Sequence, residues 1–331
     1  MSELRKDPVI DRWVIITDST IRTPNIIADQ IANDNLTCPF CPGNERMCPP
    51  EIFANRPEGS LPNSPDWKLR VVPNRSPVLV VEEDLKRMGE GLYDKISGIG
   101  ANEVIIETPR HGIRQSGMDL PEMENLFWAY RDRLLDLKRD SRLRYALIYK
   151  NSGANAGATL EHQYSLLMGL PIIPRGVLEE ISGAEKHYAY KERCIFCDIL
   201  RQELQQGIRL VSETRDFAAF EPFAPRVPFE TWILPKRHVS RFEDVEPGEI
   251  KEMAMIFIDV MKRIDSALGM PPYNYGIHTS PFSTGCDSYY HWHIEILPRL
   301  VPLTGFEWGS DLYINSTPPE RAAAYLKEMS I

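Results

Sequence analysis

The feature that most restricts this chain is a set of cysteines and histidines that occurs twice, in the same order and at near-equal spacing. The first copy runs Cys38-Pro-Phe-Cys41, then Glu103-Val-Ile-Ile-Glu-Thr-Pro-Arg-His111, then His162-Gln-Tyr164. The second runs Cys194-Ile-Phe-Cys197, then Glu230-Thr-Trp-Ile-Leu-Pro-Lys-Arg-His238, then His291-Trp-His293. In each copy a Phe precedes the second Cys, and a short apolar segment opens at Glu and closes at His. From that His to the first His of the last element is 51 residues in one copy and 53 in the other. A period of about 150 residues indicates a duplicated domain rather than a solenoid.

The segments between these markers repeat as well. Apolar periodicity predicts amphipathic helices over Leu120–Arg142 and Val245–Leu268, each with acidic residues near its start. Tyr-rich apolar strands follow at Arg144–Lys150 and Tyr273–His278, and Pro318-Pro319 opens a final helix over Glu320–Met329. The expected fold is α+β, with two similar halves that each carry an antiparallel sheet with helices on one face. The halves are residues 1–178 and 179–331, joined near 175–190, and 331 residues suffice for two cores of ordinary size.

A C-x-x-C pair is a metal knuckle, a redox pair or a coincidence. Neither pair here opens an obvious helix, as a redox pair would prefer for thiolate stabilisation. Two thiolates and two imidazoles form a tetrahedral set suited to Zn²⁺. The first set is Cys38, Cys41, His111 and His162; the second is Cys194, Cys197, His238 and His291, with His293 competing for the fourth place. Two closed sets mean two structural zinc ions per chain. Cys48 and Cys286 have no partner at ligand spacing, and His187 and His278 read as hydrogen-bonded scaffold. A net charge of −9 with no Lys/Arg block argues against a nucleic-acid surface. The sequence contains no apolar run of the roughly 18–20 residues a span needs, and Met1–Asp11 is too charged for a signal peptide, so the expected compartment is the cytoplasm.

Residues i and i+2 of a strand share a face, so a His held by metal presents the next-but-one side chain beside it. His293 takes that place in the second copy, and a neutral imidazole there is a competent nucleophile. In the first copy the place belongs to Tyr164, whose phenol titrates near 10 in water. The segment before it, Asn151-Ser-Gly-Ala-Asn-Ala-Gly157-Ala-Thr159, is built of small residues whose backbone N–H groups suit a phosphate cradle, and equally suit a plain turn.

Over most of its length the chain resembles the galactose-1-phosphate uridylyltransferases of the histidine-triad superfamily. The resemblance rests on Arg5-Lys-Asp-Pro-Val-Ile-Asp-Arg-Trp-Val-Ile-Ile, Cys38-Pro-Phe-Cys, Val71-Val-Pro-Asn74-Arg-Ser-Pro and the Glu103–His111 strand. It continues through Asn151–His162, Leu234-Pro-Lys-Arg-His238, His291-Trp-His-Ile-Glu-Ile and Phe306-Glu-Trp-Gly. The second C-x-x-C is similar to the two-zinc branch that includes plant ADP-glucose phosphorylase-like proteins. Other members use a carboxylate there, and Glu180 lies near that place.

The resemblance implies a nucleotidyl transfer between nucleotide sugars and sugar phosphates. It runs through a covalent intermediate on the second His of an H-x-H-x-Q or H-x-H-S-Q motif. Here the motif reads His162-Gln163-Tyr164-Ser165-Leu166, so the ligand matches and the nucleophile and Gln do not. Asn74, Asn151, Gly157, Thr159 and Ser165 match nucleotide or phosphate positions. Of the usual basic stretch after the first strand only Arg22 is present. The resemblance also implies a homodimer in which Gly305–Ile314 completes the partner's sugar pocket. Three chemistries are compatible: nucleotidyl transfer through Tyr164, direct attack by the acceptor, or attack by His293. The alternatives are a nucleotide-sugar binding or regulatory protein without catalysis, or a nucleotide-sugar phosphorylase.

Overall fold

The computed structural model describes residues 3–17, 38–283 and 285–329; Arg22 lies outside them. In chain order the elements are β1 (Glu3–Lys6), β2 (Trp13–Ile16), β3 (Phe53–Asn55), β4 (Leu69–Pro73), β5 (Arg87–Glu90), β6 (Tyr93–Ile96), β7 (Ala101–Ile106), α1 (Leu120–Leu137), β8 (Tyr145–Ser152) and β9 (Tyr164–Leu170). Then come α2 (Arg175–Lys191), α3 (Ile195–Gln206), β10 (Leu210–Glu213), β11 (Phe217–Phe220), β12 (Thr231–Pro235), α4 (Pro247–Leu268), β13 (Tyr273–His278), β14 (His293–Pro298), α5 (Gly305–Ser310), β15 (Tyr313–Asn315) and α6 (Pro319–Lys327).

The sequence repeat becomes a topological one. A ten-stranded sheet runs β10-β11-β12-β14-β13-β8-β9-β7-β4-β3. Outward from its centre, β8-β9-β7-β4-β3 mirrors β13-β14-β12-β11-β10. The two sets meet at β8 and β13, antiparallel from Tyr273↔Ser152 to Ile277↔Ile148. The copies therefore share one continuous sheet. The expected division between residues 178 and 179 falls inside α2. β2 pairs with β1 and, in parallel, with β15 from the far end of the chain.

Alternation along the strands separates two apolar layers. Ile105, Ile148, Leu167, Ile233, Ile277 and Ile294 face α1, α4 and α6 in one core. At its middle, Phe127 of α1 meets Phe257 of α4 edge-on, with ring centroids 5.5 Å apart. On the opposite face Ala218, Phe220, Trp232 and Leu234 pack beneath α2 and α3. There, in the first half, Val72, Val104, Ile106 and Tyr164 lie against Cys38, Phe40 and Trp67. The paired helices α1 and α4 thus share one face as expected, and α2 and α3 add a second layer over the second half.

Helix ends follow from capping. Asp119 and Glu122 form a reciprocal capping box at the start of α1, and Glu246 and Glu249 do so for α4. Helix α4 stops at Gly269, left-handed with φ +69°. Helix α1 ends at Leu137 rather than at the expected Arg142. Lys138-Arg-Asp-Ser-Arg142 offers no apolar side chain to extend the buried stripe, and Asp140 turns the chain by binding the Arg142 backbone and guanidinium.

Candidate active site

The first Cys/His set assembles from three places. Cys38 and Cys41 lie in a tight turn closed by Cys41 N–H to the Cys38 carbonyl at 3.3 Å. Asn44 donates its amide to the same carbonyl at 2.8 Å. His111 follows β7, and His162 lies two residues before the start of β9. Cys41 Sγ lies 3.3 Å from His111 Nδ1 and 3.6 Å from His162 Nδ1, and Cys38 Sγ lies 3.7 Å from His162 Nδ1. A tetrahedral zinc with ordinary Zn–S and Zn–N bonds has an S···N edge of about 3.6 Å, so the residues fit that ion. The His162 Nε2 proton donates to the Thr108 carbonyl at 2.7 Å, which leaves the Nδ1 lone pair facing the sulfurs. Burial lowers the His162 pKa to about 4 and keeps that ring neutral.

The second set repeats the geometry. Cys197 Sγ lies 3.3 Å from His238 Nδ1 and 3.5 Å from His291 Nδ1. The two Nε2 protons donate to the carbonyls of Asp287 and Pro235, at 2.7 and 3.0 Å. In each set the four donor atoms lie within 4.8 Å of one another. One expectation is corrected here: Cys194 is the N-cap of α3, so the second C-x-x-C does open a helix. Its thiol hydrogen bond to Cys197, with the two imidazoles, holds the Cys197 pKa down to about 3. That thiolate faces ligand-spaced histidines, which is a metal site's arrangement.

Tyr164 is the first residue of β9, buried, with its ring edge-on to Phe40 at 5.4 Å. Its Oη accepts the Thr159 N–H at 3.1 Å and lies 3.2 Å from Thr159 Oγ1. It lines a cavity of ≈ 280 Å³ together with Arg114, Lys150, Asn151, Gly153, His162, Gln163 and Met270. The loop before it is not an open cradle. The N–H groups of Ala156, Gly157 and Ala158 bond to the carbonyls of Gly153, Ala154 and Gly153, and that of Thr159 goes to Tyr164. Gly153 and Gly157 carry the left-handed turns, at φ +85° and +88°. Among the other expected binding residues, Asn151 lines the cavity and accepts from Asn274 Nδ2 at 2.7 Å. Asn74 follows β4, where its side chain accepts the Ser76 N–H. Ser165 is a correction: one step along β9 from Tyr164, it faces the opposite core and bonds to Glu107 and Tyr130.

The sequence matches the N-terminal domain of galactose-1-phosphate uridyl transferase over residues 1–197 and its C-terminal domain over residues 181–303. The chain belongs to this family. It is 34% identical to an ADP-glucose phosphorylase of Arabidopsis thaliana over 99% of its own length and 93% of the relative's. Identity to the galactose-1-phosphate uridylyltransferase of Thermotoga maritima is 29%, over 100% and 99% of the two chains. The crystal structure of an Arabidopsis thaliana ADP-glucose phosphorylase with bound ADP-glucose superposes with a TM-score of 0.84 at 32% identity, covering all of both chains.

Within this family fold, a third cluster that sequence reasoning missed brings together Glu180, His278, His293 and Glu295, whose donor atoms also lie within 4.8 Å of one another. Glu180 accepts from His278 Nδ1 and from Tyr290 Oη, both at 2.8 Å. Burial alone lowers the His278 pKa, but Glu180 and Glu295 raise it to about 9. His293 is fully buried here, stacked on His278 at 4.8 Å and tilted against Trp232 and Phe196 at 5.1 Å. The space beside it is ≈ 20 Å³, room for about one water. That enclosure leaves no place for a phosphoryl group, which counts against His293 as nucleophile. Its Nδ1 turns to the His291 carbonyl at 3.1 Å rather than to the second Cys/His set. The sequence signs were Glu180, near the place of the carboxylate in other members, and the i, i+2 placement of His293 and Glu295, which puts both on one face of β14. No described helix is long and apolar enough to cross a membrane.

Proposed function

We propose that this protein transfers the nucleotidyl group of a nucleotide sugar to phosphate or to a hexose-1-phosphate, with Tyr164 as the group that attacks phosphorus. The observation that carries this reading is the Tyr164 hydroxyl, held by Thr159 on a strand anchored by His162, in the wall of a polar cavity. The likeness to an ADP-glucose phosphorylase over nearly the whole chain makes ADP-glucose with phosphate the first pair to test.

In the first half-reaction the Tyr164 oxygen bonds to the α-phosphorus and the bond from that phosphorus to the bridging oxygen breaks. Hexose-1-phosphate leaves, and the phenolic proton goes with it. In the second, an acceptor phosphate oxygen forms the new bond to phosphorus and the tyrosine oxygen leaves, regaining a proton. The Thr159 N–H holds the Tyr164 Oη in place through its hydrogen bond. Cys38, Cys41, His111 and His162 hold one zinc, and Cys194, Cys197, His238 and His291 a second. These ions supply cross-links between loop and sheet, and the residues around them do the chemistry. We place the protein in the cytoplasm as a homodimer whose partner meets Gly305–Ile314, a segment in which Trp308 is 88% exposed.

The test is mass spectrometry of protein mixed with ADP-glucose or UDP-glucose, followed by addition of phosphate or hexose-1-phosphate. A nucleotidyl adduct on Tyr164 that the acceptor discharges supports the reading. Tight nucleotide-sugar binding without adduct or turnover for any donor–acceptor pair overturns it in favour of a binding protein.

A further inference from the structure

Lys150 is a buried cation that neither Cys/His set uses. It sits near the end of β8, 1% exposed, and donates to Glu107 Oε1 at 2.8 Å and to the main-chain carbonyl of Tyr164 at 2.9 Å. The β8–β9 ladder ends at Tyr149↔Leu166. Beyond that pair the Lys150 ammonium ties β8 to the start of β9, where Tyr164 stands.

The other end of the ion pair is held as well. Lys150 lines the cavity beside Tyr164, whereas Glu107 is not among its lining residues and is held from the core side by Ser165 and by Gln115 Nε2 at 2.9 Å. The ammonium itself is taken up by Glu107 and by the Tyr164 carbonyl. A buried pair of this kind contributes little net stability, because desolvation offsets the attraction. A tie to the main chain of Tyr164 has a use in placing that residue which a stability role does not explain.

We infer that Lys150 is a positioning residue for nucleotidyl transfer: its ammonium ties the main chain of Tyr164, at the start of β9, to the end of β8. The inference rests on the function proposed above. A displacement of about 1 Å at a reacting group costs on the order of 10²-fold in rate. K150M is therefore expected to lower kcat about 10²-fold with KM within about threefold, and K150R to recover at least about a tenth of the wild-type kcat. E107Q, which leaves the Lys150 bond to Tyr164 in place, is expected to lose much less than K150M.

The experiment measures kcat and KM of the full chain and of K150M, K150R and E107Q on a donor that the wild type turns over, with a melting curve for each. Equal losses of kcat in folded K150M and E107Q make the pair structural and overturn the inference, as does wild-type kcat in K150M. If K150M does not fold, near-isosteric K150Q replaces it, and failure of both to fold also overturns a positioning role. Absence of wild-type turnover on every donor defeats the proposed function itself, and is distinguished from the other outcomes because it precedes any variant.

Discussion

Tyr164 and His293 occupy matching places, each two residues after a histidine of a Cys/His set, yet one lines a cavity and the other is sealed between rings. Y164F should retain nucleotide-sugar binding within a few-fold by calorimetry while the covalent adduct disappears and turnover falls at least about 10²-fold. Full turnover by Y164F would instead indicate direct attack by the acceptor. Glu221 offers a pH test away from the site. It is fully buried, accepts one hydrogen bond from Thr231 Oγ1, and its Oε2 has no partner among the described residues. Burial pushes its pKa well above the usual carboxylate value. A raised acid binds more protons folded than unfolded, so its stability contribution is fully present at low pH and falls as pH rises past the unfolded value near 4.5. E221Q should therefore raise the melting temperature at pH 8, by ~1 kcal/mol of stability, and leave it nearly unchanged at pH 4.

Among the elements, the first Cys/His set joins a turn to the sheet, and the second joins the start of α3 to it. Residues 38–48 form no strand with the sheet, and contact it through Cys38, Phe40 and Cys41 against Val104, Ile106 and Tyr164. Metal analysis is expected to find two zinc ions per chain. C41S and C197S should each remove one, and chelation under mild denaturant should lower the melting temperature by more than ~10 °C, because binding free energy at such a set is folding free energy. A single zinc in the wild type would send one set back to ordinary packing. The second C-x-x-C shows why its local structure was hard to read. Cys194 caps α3 without a side-chain cap bond, and that helix forms because Ile195, Phe196 and Leu200 bury beneath α2.

Over the whole molecule, the β8–β13 pairing makes one sheet from two copies, and Arg114 clamps them from the other side. Arg114 donates to both oxygens of Asp265 on α4, at 2.9 and 2.7 Å, and to the Pro271 carbonyl at 2.9 Å. D265N should cost about 2 kcal/mol, since it leaves a half-buried guanidinium short of its partner. Unfolding should stay a single calorimetric transition, and two separate transitions would mean the halves fold independently. The repeat itself was written in the chain: the order of Cys, His, helix and strand fixed two matching halves, the four Cys and His side chains that meet in each set and the place of Tyr164, because each depends on spacing along one copy. Long-range contacts were not. The burial of His293 beside Glu180, the inward turn of Ser165 and the placing of Lys150 under Tyr164 all join residues from separate elements. Only the packing of the strands decides which of them face a cavity and which a core.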